Sequence, residues 1–284
     1  MQKDIKAMYE AFGKFDLTGK TAFVTGGGTG LGYYMARGLA RSGAKVMISA
    51  RRESMLQESA ANLTQESSGN QVLYSTVDLN DKKSIAETAK YAIATLGGVD
   101  IFIGNAAQDD PEMIGNIEEE TVDRLLQVNV AANISLSQIF LPHMQDNKWG
   151  RIIFSSSIGS LRAAADVGTS VYGACKGALN SFARLAAAEV GHHNVTVNSI
   201  IIGLYQSVML DDALQELEQS QGPEVAKVLY DSFVTMTAVG RIGQPEELEG
   251  VVQLLASEAG RNITGSEVTV DGGMAIMMKP KPIP

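Results

Sequence analysis

Apolar positions along this chain fall into two alternating periods. Short apolar runs occur at Lys20–Thr25, Lys45–Ala50, Gln71–Val77, Val99–Ile103, Arg151–Ser155, Val195–Ile202 and Glu267–Val270. Their length and β-branched content predict buried strands. Between them apolar residues recur every three or four positions, which is one face of a helix. The helical patterns run through Tyr33, Met35, Ala36 and Leu39 to Ser42-Gly43, from Glu53 to Glu66, and from about Lys82 to Gly97-Gly98. Further patterns run from Glu118 to about Asp146, around Tyr172 to about Val190, and from Ser207 to Val239 with a break near Gly222-Pro223. A last helix starts at Gln244-Pro245-Glu246-Glu247, with proline and acids in its first turn. Strands alternating with helices along the whole length predict a parallel sheet covered on both faces. Within the 118–146 pattern, Asn129 is a polar interruption that weakens helix propensity, so it needs a partner or a job.

Composition narrows the classes. With 284 residues, 45% hydrophobic and 19% charged, the chain is that of an ordinary globule with room for a well-buried core. A formal charge of −9 with no long basic run argues against nucleic acid or an anionic membrane as main partner. The only cysteine, Cys175, excludes an intrachain disulfide and suits a reducing cytoplasm. Residues 1–15 read as an N-terminal arm without the apolar core of a signal peptide, and no apolar run approaches the ~20 residues of a membrane span. His192 and His193 lack partners at metal-ligand spacing and read as turn residues, so no metal site is expected.

The candidate chemistry sits at strand ends. The first strand runs into Gly26-Gly27-Gly28-Thr29-Gly30-Leu31-Gly32 and straight on into a helix. Glycines permit the tight turn and close approach of backbone to a pyrophosphate, and the helix N-terminus offers unpaired N–H groups to the anion. After the second strand an acid would favour a free ribose 2′-hydroxyl; here Ala50 is followed by Arg51-Arg52, which favours NADP(H), with NAD(H) as the alternative. Asp78-Leu79 ends the third strand, where the carboxylate suits an adenine amino group or a helix cap. Asn105-Ala106-Ala107 closes the fourth strand and leads to an acidic loop of Asp109, Asp110 and Glu112 at the mouth. Ser155-Ser156-Ser157 end the fifth strand and offer a carbonyl-polarising donor. In the next helix Tyr172 and Lys176 stand at i and i+4 among small residues, so they share a face. A nearby cation would lower the phenol pKa toward useful acid/base work.

These motifs, in this order and spacing, resemble the short-chain dehydrogenase/reductase family. The resemblance covers roughly residues 16–275 and rests on the Thr25–Gly32 glycine motif, Asn105-Ala106-Ala107, Asn129, Ser157, Tyr172-x-x-x-Lys176 and Val270-Asp271-Gly272-Gly273. It implies a single three-layer, doubly wound Rossmann-like α/β domain, with residues 204–239 as a lid and 276–284 as a tail. It implies Tyr172 as general acid/base, and Lys176 as the group that holds the nicotinamide ribose and lowers the Tyr172 pKa. Ser157 would hydrogen-bond the substrate oxygen, and Asn129 would order a water that links Lys176 to solvent. Gly203 and Ser207 would complete the nucleotide contacts. The interval between Ser157 and Tyr172 is longer than usual in the family, so Ser155 or Ser156 remain alternatives. The family's Asn-Asn-Ala-Gly and Pro-Gly stand here as Gly104-Asn105-Ala106-Ala107 and Ile202-Gly203. The reading is a cytoplasmic NADP(H)-dependent carbonyl/alcohol oxidoreductase acting on a small molecule as a homotetramer or homodimer. Alternatives are a 3-oxoacyl or enoyl thioester reductase, or a non-catalytic nucleotide sensor or scaffold on this fold.

Overall fold

The computed structural model describes residues 13–163 and 167–278. Its centre is a seven-stranded parallel sheet in the order β3-β2-β1-β4-β5-β6-β7. The strands are β1 Thr21–Thr25, β2 Lys45–Ala50, β3 Val72–Thr76, β4 Ile101–Gly104, β5 Gly150–Ser157, β6 Val195–Ile202 and β7 Glu267–Val270. The order reverses between β1 and β4, and such a switch point opens a crevice at the carboxyl ends of the strands. Every strand predicted from sequence is present, and β2, β6 and β7 match to the residue.

The helices are α1 Gly30–Arg41, α2 Glu53–Glu66, α3 Lys82–Leu96, α4 Glu119–Leu126, α5 Ala132–Asp146, α6 Ser170–Val190, α7 Val208–Gln221, α8 Pro223–Thr235 and α9 Leu248–Ala256. Side-chain alternation along the strands feeds two cores. Val24, Ile48, Ile103 and Ile200 pack with Met35, Leu39, Leu248 and Val252 of α1 and α9 on one face. Phe23, Phe102, Phe154 and Val197 pack with Leu136, Phe140 and Leu179 of α5 and α6 on the other. The Phe23 and Phe140 rings lie 5.3 Å apart, and Phe102 and Phe140 meet edge-on at 5.5 Å.

The 118–146 helical pattern is not one regular helix. Between α4 and α5 the residues Gln127–Ala131 form a π turn. The wider turn places Asn129 so that its amide reaches out of the helix while it stays fully buried. Taken as one segment, Glu119–Asp146 is 28 residues, long and apolar enough by length and composition alone to cross a membrane, a test that the core helix of a globule also passes. Isolated polar residues interrupt it, and the segment lays Val128, Leu136, Phe140 and Met144 into the sheet core.

Of the predicted arm, only Gly13–Phe15 lies among the described residues, as a short 3₁₀ turn. Residues 1–12 and the tail from 279 lie outside them, as does 164–166 in the loop before Tyr172.

Candidate active site

The crevice begins with the glycine turn. Gly26 and Gly30 take φ of +66° and +55°, values that favour glycine. A Cβ on Gly32 would lie 2.2 Å from the Gly26 carbonyl oxygen and 2.4 Å from Asn105 Nδ2, so only a hydrogen fits there. The turn therefore brings backbone to the cavity surface at the start of α1, where N–H groups lack intrahelical partners.

Asn105 and Thr25 tie this turn to the neighbouring strand ends. Thr25 Oγ1 accepts from the backbone N–H groups of Asn105 and Ala106, each at 3.1 Å. The Asn105 amide donates to the Thr25 carbonyl at 3.2 Å, and its Oδ1 accepts from Ser155 Oγ at 3.1 Å. The Asn105 side chain thus braces β1, β4 and β5, leaving the backbone and methyls of Ala106 and Ala107 to face the cavity.

A cavity of about 510 Å³ gathers most of the residues expected from sequence. Its lining includes Gly26, Thr29, Leu31, Gly32, Arg51 and Arg52, the strand-end residues Asn105, Ala106 and Ala107, and Ser157, Tyr172, Lys176 and Gly203. A smaller cavity of about 120 Å³ continues from it past Ser49, Arg51, Asp78, Leu79 and Ala106. Gly28 shapes the turn without lining either cavity, and Ser207 caps α7 by accepting from Leu210 N at 3.2 Å. A larger cleft of about 970 Å³ runs along the free edge of β3 between α2 and α3 and contains none of these residues.

The residues present fit a dinucleotide. The glycine cradle has no space for a Cβ at Gly32, and Ser49 Oγ is a buried hydroxyl without a protein partner in the residues that line the smaller cavity. Asp81, not Asp78, caps α3 by accepting from Lys83 N at 2.8 Å. Asp78 accepts from Asn80 N at 2.9 Å through one oxygen, which leaves its second oxygen free in the smaller cavity.

Three hydroxyls compete for the role expected of Ser157, and the structure separates them. Ser155 donates to Asn105, and Ser156 donates to the Lys176 carbonyl at 3.3 Å; both are buried. Ser157 is half-buried, accepts from Gly159 N at 3.1 Å and hydrogen-bonds with Tyr172.

Lys176 is buried, and its ammonium donates to the Ser155 carbonyl at 2.7 Å. Burial pushes its pKa down to about 8 from 10.5, with the charges of Cys175 and Asp109 working the other way. Its Nζ lies 5.4 Å from the centre of the Tyr172 ring. The sequence argument has Lys176 lowering the Tyr172 pKa, yet burial holds that phenol above its ordinary 10.0. The hydrogen bond with Ser157 pulls it back, while the negative charges of Asp109 and Cys175 add to the rise. The ammonium points at Ser155, not at the phenol oxygen, which accounts for the difference.

Asn129 finds its partner across the crevice floor. Its Oδ1 accepts from Gln108 N at 2.9 Å and its Nδ2 donates to the Gln108 carbonyl at 2.8 Å. One amide therefore clamps both backbone groups of a loop residue. The sequence places Gln108 in a stretch expected to wall the pocket but does not pair it with Asn129, because that pairing spans 21 positions and no local periodicity carries it. The Asn129 main-chain oxygen accepts from Asn133 Nδ2 at 2.9 Å.

The crevice of this doubly wound sheet gathers the glycine turn, Ser157, Tyr172 and Lys176 into one cavity. The short chain dehydrogenase family model matches residues 20–218, and the chain belongs to that family. A D-beta-hydroxybutyrate dehydrogenase from Cupriavidus necator is 29% identical over 90% of this chain and 98% of its own length. The L-sorbose reductase of Gluconobacter frateurii, complexed with NADPH and L-sorbose, superposes with a TM-score of 0.88 at 28% identity, covering 93% of this chain and 100% of that one. A 3-oxoacyl (acyl-carrier-protein) reductase from Agrobacterium tumefaciens with NADP bound gives a TM-score of 0.83 at 28% identity, covering 92% of this chain and 96% of that one.

Proposed function

We propose that the protein is an NADP(H)-dependent oxidoreductase that interconverts a ketone or aldehyde with an alcohol. The observation that carries this reading is that Ser157, Tyr172 and Lys176 line the same 510 Å³ cavity as the glycine turn. When bound, the nicotinamide supplies or accepts the hydride. In the reducing direction Tyr172 donates its proton to the carbonyl oxygen, so a phenol held protonated by burial is in the required state at neutral pH. Ser157 accepts from Gly159 N, which leaves its own O–H to donate to the same oxygen. Lys176 would hold the nicotinamide ribose, and its ammonium, 5.4 Å from the centre of the Tyr172 ring, would favour the tyrosinate that develops during reaction. Asn129 keeps the adjoining loop in register.

Arg51 and Arg52 support NADP(H): both are exposed at the end of β2 and line the 510 Å³ cavity, whose lining contains no carboxylate among the described residues, while Arg51 also borders the smaller cavity that Asp78 lines. The NADPH- and NADP-bound relatives support the same choice. The likeness to the Agrobacterium reductase supports a 3-oxoacyl thioester as a second substrate class for the same chemistry. Helices α7 and α8, which follow Gly203, act as the lid. The buried free thiol of Cys175 suits the cytoplasm.

Mixing the protein with NADPH and a panel of ketones while following nucleotide absorbance tests the reading. Turnover of at least one carbonyl class is expected. Tight NADPH binding with no turnover of any carbonyl contradicts it and favours a nucleotide sensor.

A further inference from the structure

Helix α2 starts directly after Arg51 and Arg52 and lies against the glycine turn. Its N-cap Arg52 and the helical residues Met55, Leu56 and Ser59 stand at i, i+3, i+4 and i+7, so they fall on one face. That face meets Gly28, which is buried. A Cβ on Gly28 would lie 2.9 Å from Met55 Cε and 3.3 Å from Leu56 Cδ2. One turn further along, the buried Ser59 donates from its Oγ to the Gly28 carbonyl at 2.7 Å. Arg52 in turn reaches the Met55 sulfur at 3.0 Å, and both residues line the 510 Å³ cavity.

The Ser59 hydrogen bond fixes one peptide plane at the edge of that cavity. A trans peptide points its C=O and its N–H in opposite directions, so a Gly28 carbonyl turned to Ser59 turns the Thr29 N–H away from it. Thr29 is the residue of this pair that lines the cavity, exposed and with extended backbone. Gly28 has no side chain of its own to hold the plane, and glycine backbone reorients at little steric cost. The grip comes from α2.

We propose that Ser59 is a positioning residue for the nucleotide: its hydroxyl holds the Gly28–Thr29 peptide with the Thr29 N–H presented to phosphate or ribose oxygens of bound NADP(H), and keeps Arg52 in register with the glycine turn. Ser59 lines neither nucleotide cavity, so it acts through Gly28 and not by contact. Without the hydroxyl, the buried Gly28 carbonyl loses its Ser59 donor and the peptide is free to reorient toward another partner. The Thr29 N–H then leaves the direction in which the anion needs it. This deepens the NADP(H) reading above and rests on it; the identity of the carbonyl substrate does not enter.

Fluorescence titration with NADPH of the full chain, Ser59→Ala and Thr64→Ala tests it, with nucleotide-free melting temperatures taken on the same samples. Thr64 is the control on the same helix: its Oγ1 donates to the Ala60 carbonyl at 2.8 Å and accepts from Val72 N at 2.9 Å, bonds that run to α2 and the start of β3 and not to the glycine turn. Ser59→Ala should weaken NADPH binding about fivefold to tenfold, the worth of one buried hydrogen bond whose acceptor is left unpaired. Thr64→Ala should lower the melting temperature yet leave NADPH affinity within about twofold, since its partners lie away from the cradle. Unchanged NADPH affinity in Ser59→Ala overturns the inference alone. So does an equal loss in Thr64→Ala, because the effect would then be a general loosening of α2. A wild type that does not bind NADPH overturns it together with the NADP(H) reading.

Discussion

Replacing Lys176 with methionine should make the protein more stable and inactive. Lys176 is completely enclosed, with one hydrogen bond, to the Ser155 carbonyl. Its pKa falls from 10.5 to about 8 through burial. At about 1.4 kcal/mol per tenfold change in proton affinity, holding that ammonium in the fold costs about 3 kcal/mol at neutral pH. Methionine fills similar volume without the charge. The Ser155 carbonyl then loses its donor, which offsets about 1–2 kcal/mol, so a net gain of about 1–2 kcal/mol is expected at about pH 7. The pH dependence separates this from a simple packing effect. Because the folded pKa lies below the unfolded one, the unfolded chain holds more protons between about 8 and 10.5, and wild-type stability rises with pH across that window. Below it the penalty is present in full; above it the penalty is gone. Urea denaturation of both proteins without nucleotide should show the methionine variant ahead at about pH 7 and behind the wild type toward pH 10.5, a swing of about 3 kcal/mol. A stability difference that stays constant across that range would refute the argument, since Lys176 would then titrate as it does in the unfolded chain.

Other substitutions follow from the same geometry. Gly32→Ala places a methyl 2.2 Å from the Gly26 carbonyl oxygen, so NADPH affinity should fall at least about tenfold and the melting temperature should drop; wild-type nucleotide titration and melting would contradict the cradle. Arg51→Ser should cost about tenfold to a hundredfold in NADPH affinity, the worth of a charge-assisted phosphate contact, while sparing NADH. Equal losses for both nucleotides would remove the 2′-phosphate role from Arg51.

Much of the fold was legible because it is encoded locally. The strands at Lys45–Ala50 and Val195–Ile202 and the break at Gly222-Pro223 emerge from periodicity and turn chemistry alone. The glycine turn and the Tyr172–Lys176 pair were equally legible, since each is a short motif with a fixed geometric consequence. What local pattern does not carry is pairing across the crevice. The grip of Asn129 on Gln108 spans 21 positions and depends on a π turn that an apolar count reads as ordinary helix. The bond from Lys176 to the Ser155 carbonyl, which directs the ammonium away from the phenol, also spans 21 positions. The helix cap near Lys82 is Asp81 instead of Asp78 because the helix begins at Lys82, and the capping side chain is that of the residue immediately before the first turn.

The account stands on the Tyr172 hydroxyl as the proton donor beside a bound nicotinamide. Its most direct test compares wild type with Tyr172→Phe, measuring NADPH oxidation by the best ketone of the panel and NADPH affinity on the same samples. Turnover should fall at least about a thousandfold, the upper part of the range for a general acid, while nucleotide affinity changes no more than about threefold. A phenylalanine variant that reduces the ketone at a wild-type rate would contradict it.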